Sequence, residues 1–262
     1  MELIDSHAHL DSKQFNSDRS EVLSRAREAG LTHIITIGTD VDSSIRAIAL
    51  SEKYDFVSAT IGYHPHDARN LTNEKLDSLR ELADSHRVVG FGEIGLDFYR
   101  NYSPHHIQEK SFDDLINLGI ELGLPLIIHD RAAHEKTFAR LSDAKNKMNG
   151  GVIHCFSGDY DLARRYLDLG FHISLPGWIT FPKFDSIRRV AAKIPLDSLL
   201  IETDCPFLAP VPKRGKRNEP GYVSYTALEL ARVRKQSVEE IASATTENAR
   251  SLFALPVAGE TD

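Results

Sequence analysis

The sequence predicts an α/β fold, a (β/α)8 TIM barrel with an additional C-terminal helix. Three observations carry that expectation. Apolar, β-branched runs alternate with helical patterns along the whole chain, and eight strand–helix units can be counted, which implies a parallel sheet. Runs such as Leu126-Ile127-Ile128 are continuously apolar, as strands buried on both faces are. The length of 262 residues suits eight such units in one domain. No shift in composition marks a boundary, so residues 1–262 read as a single domain with an ordered core to about residue 255. A doubly wound open sheet is the competing arrangement.

The elements follow in order. Leu3–His9 is the first strand, and a helix near Asp18–Ala29 ends at Gly30, the C′ position glycine favours. His33–Gly38 is the second strand, and Asp42 caps a helix to Lys53. Phe56–Gly62 is the third, followed by a helix over Thr72–Asp84 whose Lys75, Leu76, Leu79 and Leu82 share a face. Val88–Glu93 is the fourth. Ser103 as cap and Pro104 at the first position then open a long helix that stops at Gly123. Strands at Pro125–His129, Gly151–Phe156, Phe171–Leu175 and Leu199–Glu202 alternate with helices at Ala133–Lys145, Asp159–Leu169 and Ser186–Ala192. Two helices close the chain, near Val223–Arg234 and after Ser237, where Glu240 completes a capping box. The tail from Pro256 reads as frayed.

Composition narrows the functional classes. A net charge of −7 argues against nucleic-acid binding through a broad basic face. No apolar run is long enough for a bilayer span, and no secretory leader pattern is visible. Two cysteines, Cys155 and Cys205, give no disulfide framework, so a cytoplasmic setting is expected. A monomer is the expected state.

The chemistry gathers at the strand ends. His7 and His9 close the first strand, Glu93 the fourth, His129 the fifth, His154 the sixth and Asp204 the eighth. In a barrel these C-terminal ends meet around one mouth. Each residue alone reads as a hydrogen-bonded histidine or a helix cap; six together read as a metal site. Six ligands exceed one closed tetrahedral site and suit two ions that share a carboxylate. Glu93 is the natural bridge, with His7, His9 and Asp204 on one ion and His129 and His154 on the other. Such a pair lowers the pKa of bound water towards neutral.

The stretches Asp5-Ser6-His7-Ala8-His9-Leu10, Gly62-Tyr63-His64-Pro65-His66, Gly92-Glu93-Ile94-Gly95-Leu96-Asp97, Ile128-His129, His154-Cys155-Phe156-Ser157-Gly158 and Glu202-Thr203-Asp204-Cys205-Pro206-Phe207-Leu208 resemble the TatD family of metal-dependent hydrolases, to about Leu255. The resemblance implies a barrel, two divalent ions (Mg, Mn or Zn) and deoxyribonuclease action on phosphodiesters, often exonucleolytic. It places the metal roles on His7, His9, Glu93, His129, His154 and Asp204. Two departures, Cys205 where alanine is common and Asp130 where serine is common, replace no ligand.

Further residues have candidate roles. Asp204 can accept a proton from the attacking water as well as hold metal. His64 can contact a phosphate oxygen or protonate the leaving group, or simply order the Pro65 turn. Arg131 can clamp a phosphate or pair with Glu135. Lys216 and Arg217, in the basic run from Lys213, follow the eighth strand and can attract a DNA backbone. Tyr63, Phe98, Tyr99 and Trp178 can stack bases of a single strand. Cys155 and Cys205 should point away from the metals as inert thiols. The expected partner is DNA, possibly single-stranded. Hydrolysis of a small amide, lactone or phosphoester, and a non-catalytic nucleic-acid-binding or scaffolding role, are the alternatives.

Overall fold

The computed structural model describes residues 1–255; the tail from Pro256 lies outside the described residues. Eight parallel strands form one sheet in sequential order: β1 (Leu3–Ala8), β2 (Leu31–Thr36), β3 (Val57–Ile61), β4 (Val88–Asp97), β5 (Leu126–Arg131), β6 (Gly151–Ile153), β7 (Phe171–Leu175) and β8 (Leu199–Ile201). The sheet closes on itself where β8 runs out. Ala8 and Cys205 form a parallel bridge, His9 N–H donates to Cys205 O at 2.8 Å, and Asp204 N–H donates to His7 O at 2.9 Å. The open-sheet alternative is thereby replaced by the barrel.

Helices α1 (Arg19–Glu28), α2 (Val41–Lys53), α3 (Asn73–Leu82), α4 (His105–Leu122), α5 (His134–Ala144), α6 (Tyr160–Asp168), α7 (Asp185–Ala191) and α8 (Val223–Arg234) connect or flank the strands. Their apolar faces and the outer side chains of the strands form the main core. A second cluster fills the barrel floor. Ile4, Ile35, Ile37, Ile127, Val152 and Leu200 meet Ala249 and Phe253 of the additional C-terminal helix, α9 (Val238–Phe253). That helix starts with the expected capping box between Ser237 and Glu240. With the floor plugged, the only ends of the strands left to build a site are the C-terminal ones.

Two helix starts differ from expectation. Asp40, not Asp42, caps α2: its Oδ1 accepts Ser43 N–H at 2.6 Å, and Ser43 Oγ accepts Asp40 N–H at 2.9 Å. At α4 Pro104 itself takes the cap position, because the Ser103 hydroxyl is engaged elsewhere, donating to His66 O and accepting Arg69 N–H.

Strand irregularities aim the side chains that matter. On β1, Asp5 pairs with Ile34 and Ala8 with Thr36, so three steps match two. On β4, Phe91 pairs with Leu126 and Ile94 with Ile128, again three against two. His7 and Glu93 sit in these two bulges, which bend the strands locally and re-aim their side chains. β4 also runs past Glu93 to Asp97. Gly95, at φ +146, lets it lie against β5, since a Cβ there would collide with the carbonyl oxygen of His129.

Candidate metal centre

Glu93 stands at the middle of the mouth, 2 % exposed. Its two oxygens face different ways. Oε1 lies 2.7 Å from His129 Nδ1, 2.9 Å from His154 Nε2 and 3.4 Å from His64 Nε2. Oε2 lies 3.5 Å from His7 Nε2 and 3.9 Å from His9 Nε2. Asp204 closes the second group, with Oδ1 3.2 Å from His9 Nε2 and 3.8 Å from His7 Nε2. All six expected ligands are thus within one cluster, with Glu93 between its halves. Among the described residues, three sets of donors lie close enough to share an ion: His7, His9 and Asp204; His7, His154 and Glu202; and His64, Glu93 and His129.

The donor set fits divalent metal. Both ring nitrogens of His7 are buried without a hydrogen-bond partner, as is Glu202 Oε2. Orphaned buried polar atoms are costly unless something else meets them. Tetrahedral donors at about 2.0–2.2 Å from an ion lie about 3.3–3.6 Å apart; the His7 and His9 pairs are near that spacing, whereas Glu93 Oε1 is at hydrogen-bonding distance from His129 and His154. The protonation pattern agrees. Burial opposes charge on Glu93, yet the His154 ring, with hydrogen bonds from His129 and His154, holds its carboxyl well below the usual range. Burial likewise opposes charge on Asp204, and His9 brings its pKa down. Burial lowers His154, but Glu93 and Glu202 raise it well above the ordinary value. His9 and His129 also rise against burial, through Asp204 for one and Asp97 with Glu93 for the other. Without metal, protons on imidazoles supply the positive charge these carboxylates require.

A shell of buried carboxylates supports the cluster, and sequence reasoning gave them no role. Asp97 Oδ2 lies 2.9 Å from His66 Nε2 and 3.2 Å from His129 Nε2. Glu202 Oε1 accepts Cys155 N–H at 2.7 Å and lies 3.3 Å from His154 Nδ1. Asp5 Oδ1 accepts Thr203 N–H at 2.9 Å, and burial pushes its carboxyl up to about 8. Each lies within four residues of a ligand in a motif already quoted, which is the signal that was available.

A cavity of about 690 Å³ opens above the cluster, lined in part by His64, Arg100, Arg131, Trp178 and Phe207. His64 accepts His66 N–H on Nδ1 at 3.1 Å, which leaves the proton on Nε2, facing Glu93. Burial lowers its pKa to about 4. Its Nδ1 bond to His66 N–H orders the turn that begins at Pro65, one of its expected roles, and its Nε2 faces the cluster. Arg131 is not paired with Glu135, which binds Arg165 at 2.6 Å and 2.9 Å. Its guanidinium instead stacks 4.2 Å from the Tyr99 ring.

The basic run after β8 is largely tied up by contacts within the fold. Arg217 is outside the cavity lining and is held by Asp18 at 2.8 Å and 2.6 Å, by Gln14 O and by Glu219. Arg214 covers the Phe181 ring and Lys213 lies over Tyr222. Lys216 is exposed but outside the cavity lining. Of the expected stacking residues, Tyr99 is exposed, Trp178 lines the cavity against Phe184, Phe98 stacks on His105, and Tyr63 is buried with its hydroxyl on Lys75. Phe207, with half its surface exposed, packs edge-on to His9 and was not anticipated. Cys155 lines the cavity rather than pointing away, because the backbone turns left-handed there, at φ +50. Burial raises its thiol pKa well above normal, so it is inert as expected, as is buried Cys205.

Residues 4–254 match the family model described as TatD related DNase. The chain belongs to the TatD family. It is 44% identical over 251 residues to the metal-dependent hydrolase YabD of Bacillus subtilis, covering 96% of this chain and 98% of that protein. It is 39% identical over 259 residues to the 3'-5' ssDNA/RNA exonuclease TatD of Pantoea ananatis, covering 97% and 100%. The crystal structure of YjjV, a TatD homologue from Escherichia coli K12, superposes with a TM-score of 0.92 at 33% identity, over 97% of this chain and 98% of that one. The TatD family is one of metal-dependent hydrolases, and the cluster around Glu93 contains groups of side chains placed to bind metal ions.

Proposed function

We propose that this TatD-family hydrolase is a deoxyribonuclease that removes nucleotides from single-stranded DNA ends with two divalent ions. One observation carries the reading: the two oxygens of Glu93 face two separate groups of imidazoles. In it, His7, His9 and Asp204 hold one ion with Glu93, and His129 and His154 hold the other with Glu93. Bound divalent ions supply positive charge that acidifies water and stabilises charge building on phosphate oxygens.

The protein's own groups do the rest. Asp204 keeps a charged carboxylate at the mouth and takes the proton of the attacking water. His64 donates Nε2–H to a phosphate oxygen. Arg100 and Arg131 line the cavity and hold the phosphate backbone, with Arg131 fixed in orientation by Tyr99. Tyr99, Tyr102 and Phe207 present exposed rings at the strand ends, surfaces on which unpaired bases stack. The relative named for single-stranded exonuclease action supports the choice of substrate. Among the described residues no helix is long and apolar enough to cross a membrane, and two free cysteines support a reducing, cytoplasmic setting.

The test offers metal-loaded protein end-labelled single- and double-stranded oligonucleotides beside a panel of small amides, lactones and phosphoesters. Stepwise shortening of the single strand is expected. Turnover confined to a small ester or amide overturns the nuclease reading.

A further inference from the structure

Asp97 is fully buried, at the end of β4, and no step above uses it. Its two oxygens divide their work. Oδ2 faces the Nε2 atoms of His129 and His66. Oδ1 accepts Tyr99 N–H at 2.9 Å and Arg100 N–H at 2.7 Å. The other end of the same loop is fixed by buried Gln108. Its Oε1 accepts Asp97 N–H, and its Nε2 donates to Asp97 O and Ser103 O. The loop so clamped carries Tyr99, Arg100 and Tyr102 to the mouth.

We propose that Asp97 is a positioning residue that serves two parts of the site at once. Through Oδ2 it fixes the ring of His129 with Nε2–H turned outward and Nδ1 turned to the metal. Through Oδ1 it holds the loop that presents Tyr99 and Arg100 to the nucleic acid. A carboxylate behind a ligating imidazole raises its basicity and locks its tautomer. One oxygen of the same carboxylate accepts both consecutive N–H groups of the turn, as a short acidic side chain does for the backbone just after it. Metal affinity and loop order therefore share one side chain.

Two substitutions separate the halves. In Asp97→Asn the amide oxygen can still accept from Tyr99 and Arg100. The amide nitrogen then faces His129 Nε2 and donates to it, which favours the tautomer with the proton on the metal-facing nitrogen. In Asp97→Ala both functions are lost. Mn2+ binding to chelator-stripped protein is followed by calorimetry, and loop order by the rate of trypsin cleavage after Arg100, read by mass spectrometry. For Asp97→Asn, affinity for one of two ions should fall about 10- to 100-fold, with cleavage at Arg100 near the wild-type rate. Asp97→Ala should show the same metal defect with faster cleavage. Wild-type Mn2+ affinity in Asp97→Asn, or unchanged cleavage in Asp97→Ala, overturns the proposal.

This inference rests on His129 holding an ion, so His129→Ala is measured alongside. If His129→Ala still binds both ions, the ligand assignment fails. If it loses one while Asp97→Asn loses none, only the role of Asp97 fails.

Discussion

Replacing Asp204 by asparagine separates charge from shape at the mouth. The residue sits at φ +55, a left-handed conformation that asparagine and aspartate tolerate better than other non-glycine residues. Its backbone makes two local bonds, N–H to His7 O and O from Phe207 N–H, both at 2.9 Å, which the substitution leaves intact. The side chain keeps one oxygen at the position now 3.2 Å from His9 Nε2. Stability should therefore change by no more than about 1 kcal/mol. Asp204→Ala carries an added backbone cost of about 1 kcal/mol at this positive φ. Activity is a different matter. The amide cannot accept the proton of water, and a lost general base costs about 10²- to 10⁴-fold. The assay is single-stranded oligonucleotide hydrolysis with metal content measured on the same sample, because the ion on the His7 and His9 side can weaken as well. A variant that keeps two ions and turns over within a few-fold of wild type refutes the role of Asp204 as base.

Other outcomes follow from the same structure. Arg100→Ala and Arg131→Ala should each weaken oligonucleotide binding and lower the slope of log affinity against log salt by about one. Arg217→Ala should leave that slope unchanged and instead lower the unfolding midpoint, since it removes a bidentate pair with Asp18; an equal effect on binding from all three would contradict the assignment. His33, buried on β2 with Ser58 Oγ 2.8 Å from its Nε2, has its pKa lowered by burial to about 4. It stays neutral in the fold while the unfolded chain protonates near 6.5, so its contribution is complete above that pH and is lost as pH falls towards 4, by about 3 kcal/mol in total. Denaturation of wild type and His33→Gln across this window should show the variant gaining on wild type as pH falls, and a constant gap would refute the assignment.

The barrel and the gathering of six side chains at its mouth were legible because both are written locally. Apolar periodicity marks eight strands, and each of the six side chains lies in the last part of one or just past it. What sequence did not reveal depends on partners far along the chain. Arg217 looks free in a basic run; only the fold brings Asp18 to it, 199 residues away. Asp97, Glu202 and Asp5 stood within recognised motifs, but the groups that donate to them or face them lie largely on other strands and loops. Plain alternation put His7 and His9 on one face. The structure reaches the convergence through a bulge that no local propensity announces, and a second bulge sets Glu93. Cys155 escaped alternation for a related reason, since a left-handed turn ends the regular strand before it. At α2 two acids lay close enough to compete for the cap, and Asp40 wins because Ser43 can return its hydrogen bond.

The central claim is a pair of ions bridged by Glu93, and metal stoichiometry tests it most directly. Chelator-stripped protein titrated with Mn2+ or Zn2+, with bound metal counted by elemental analysis, should saturate at two ions per chain. The combined His129→Ala and His154→Ala variant should saturate at one. Saturation of the wild type at a single ion, unchanged by that double substitution, would contradict the account.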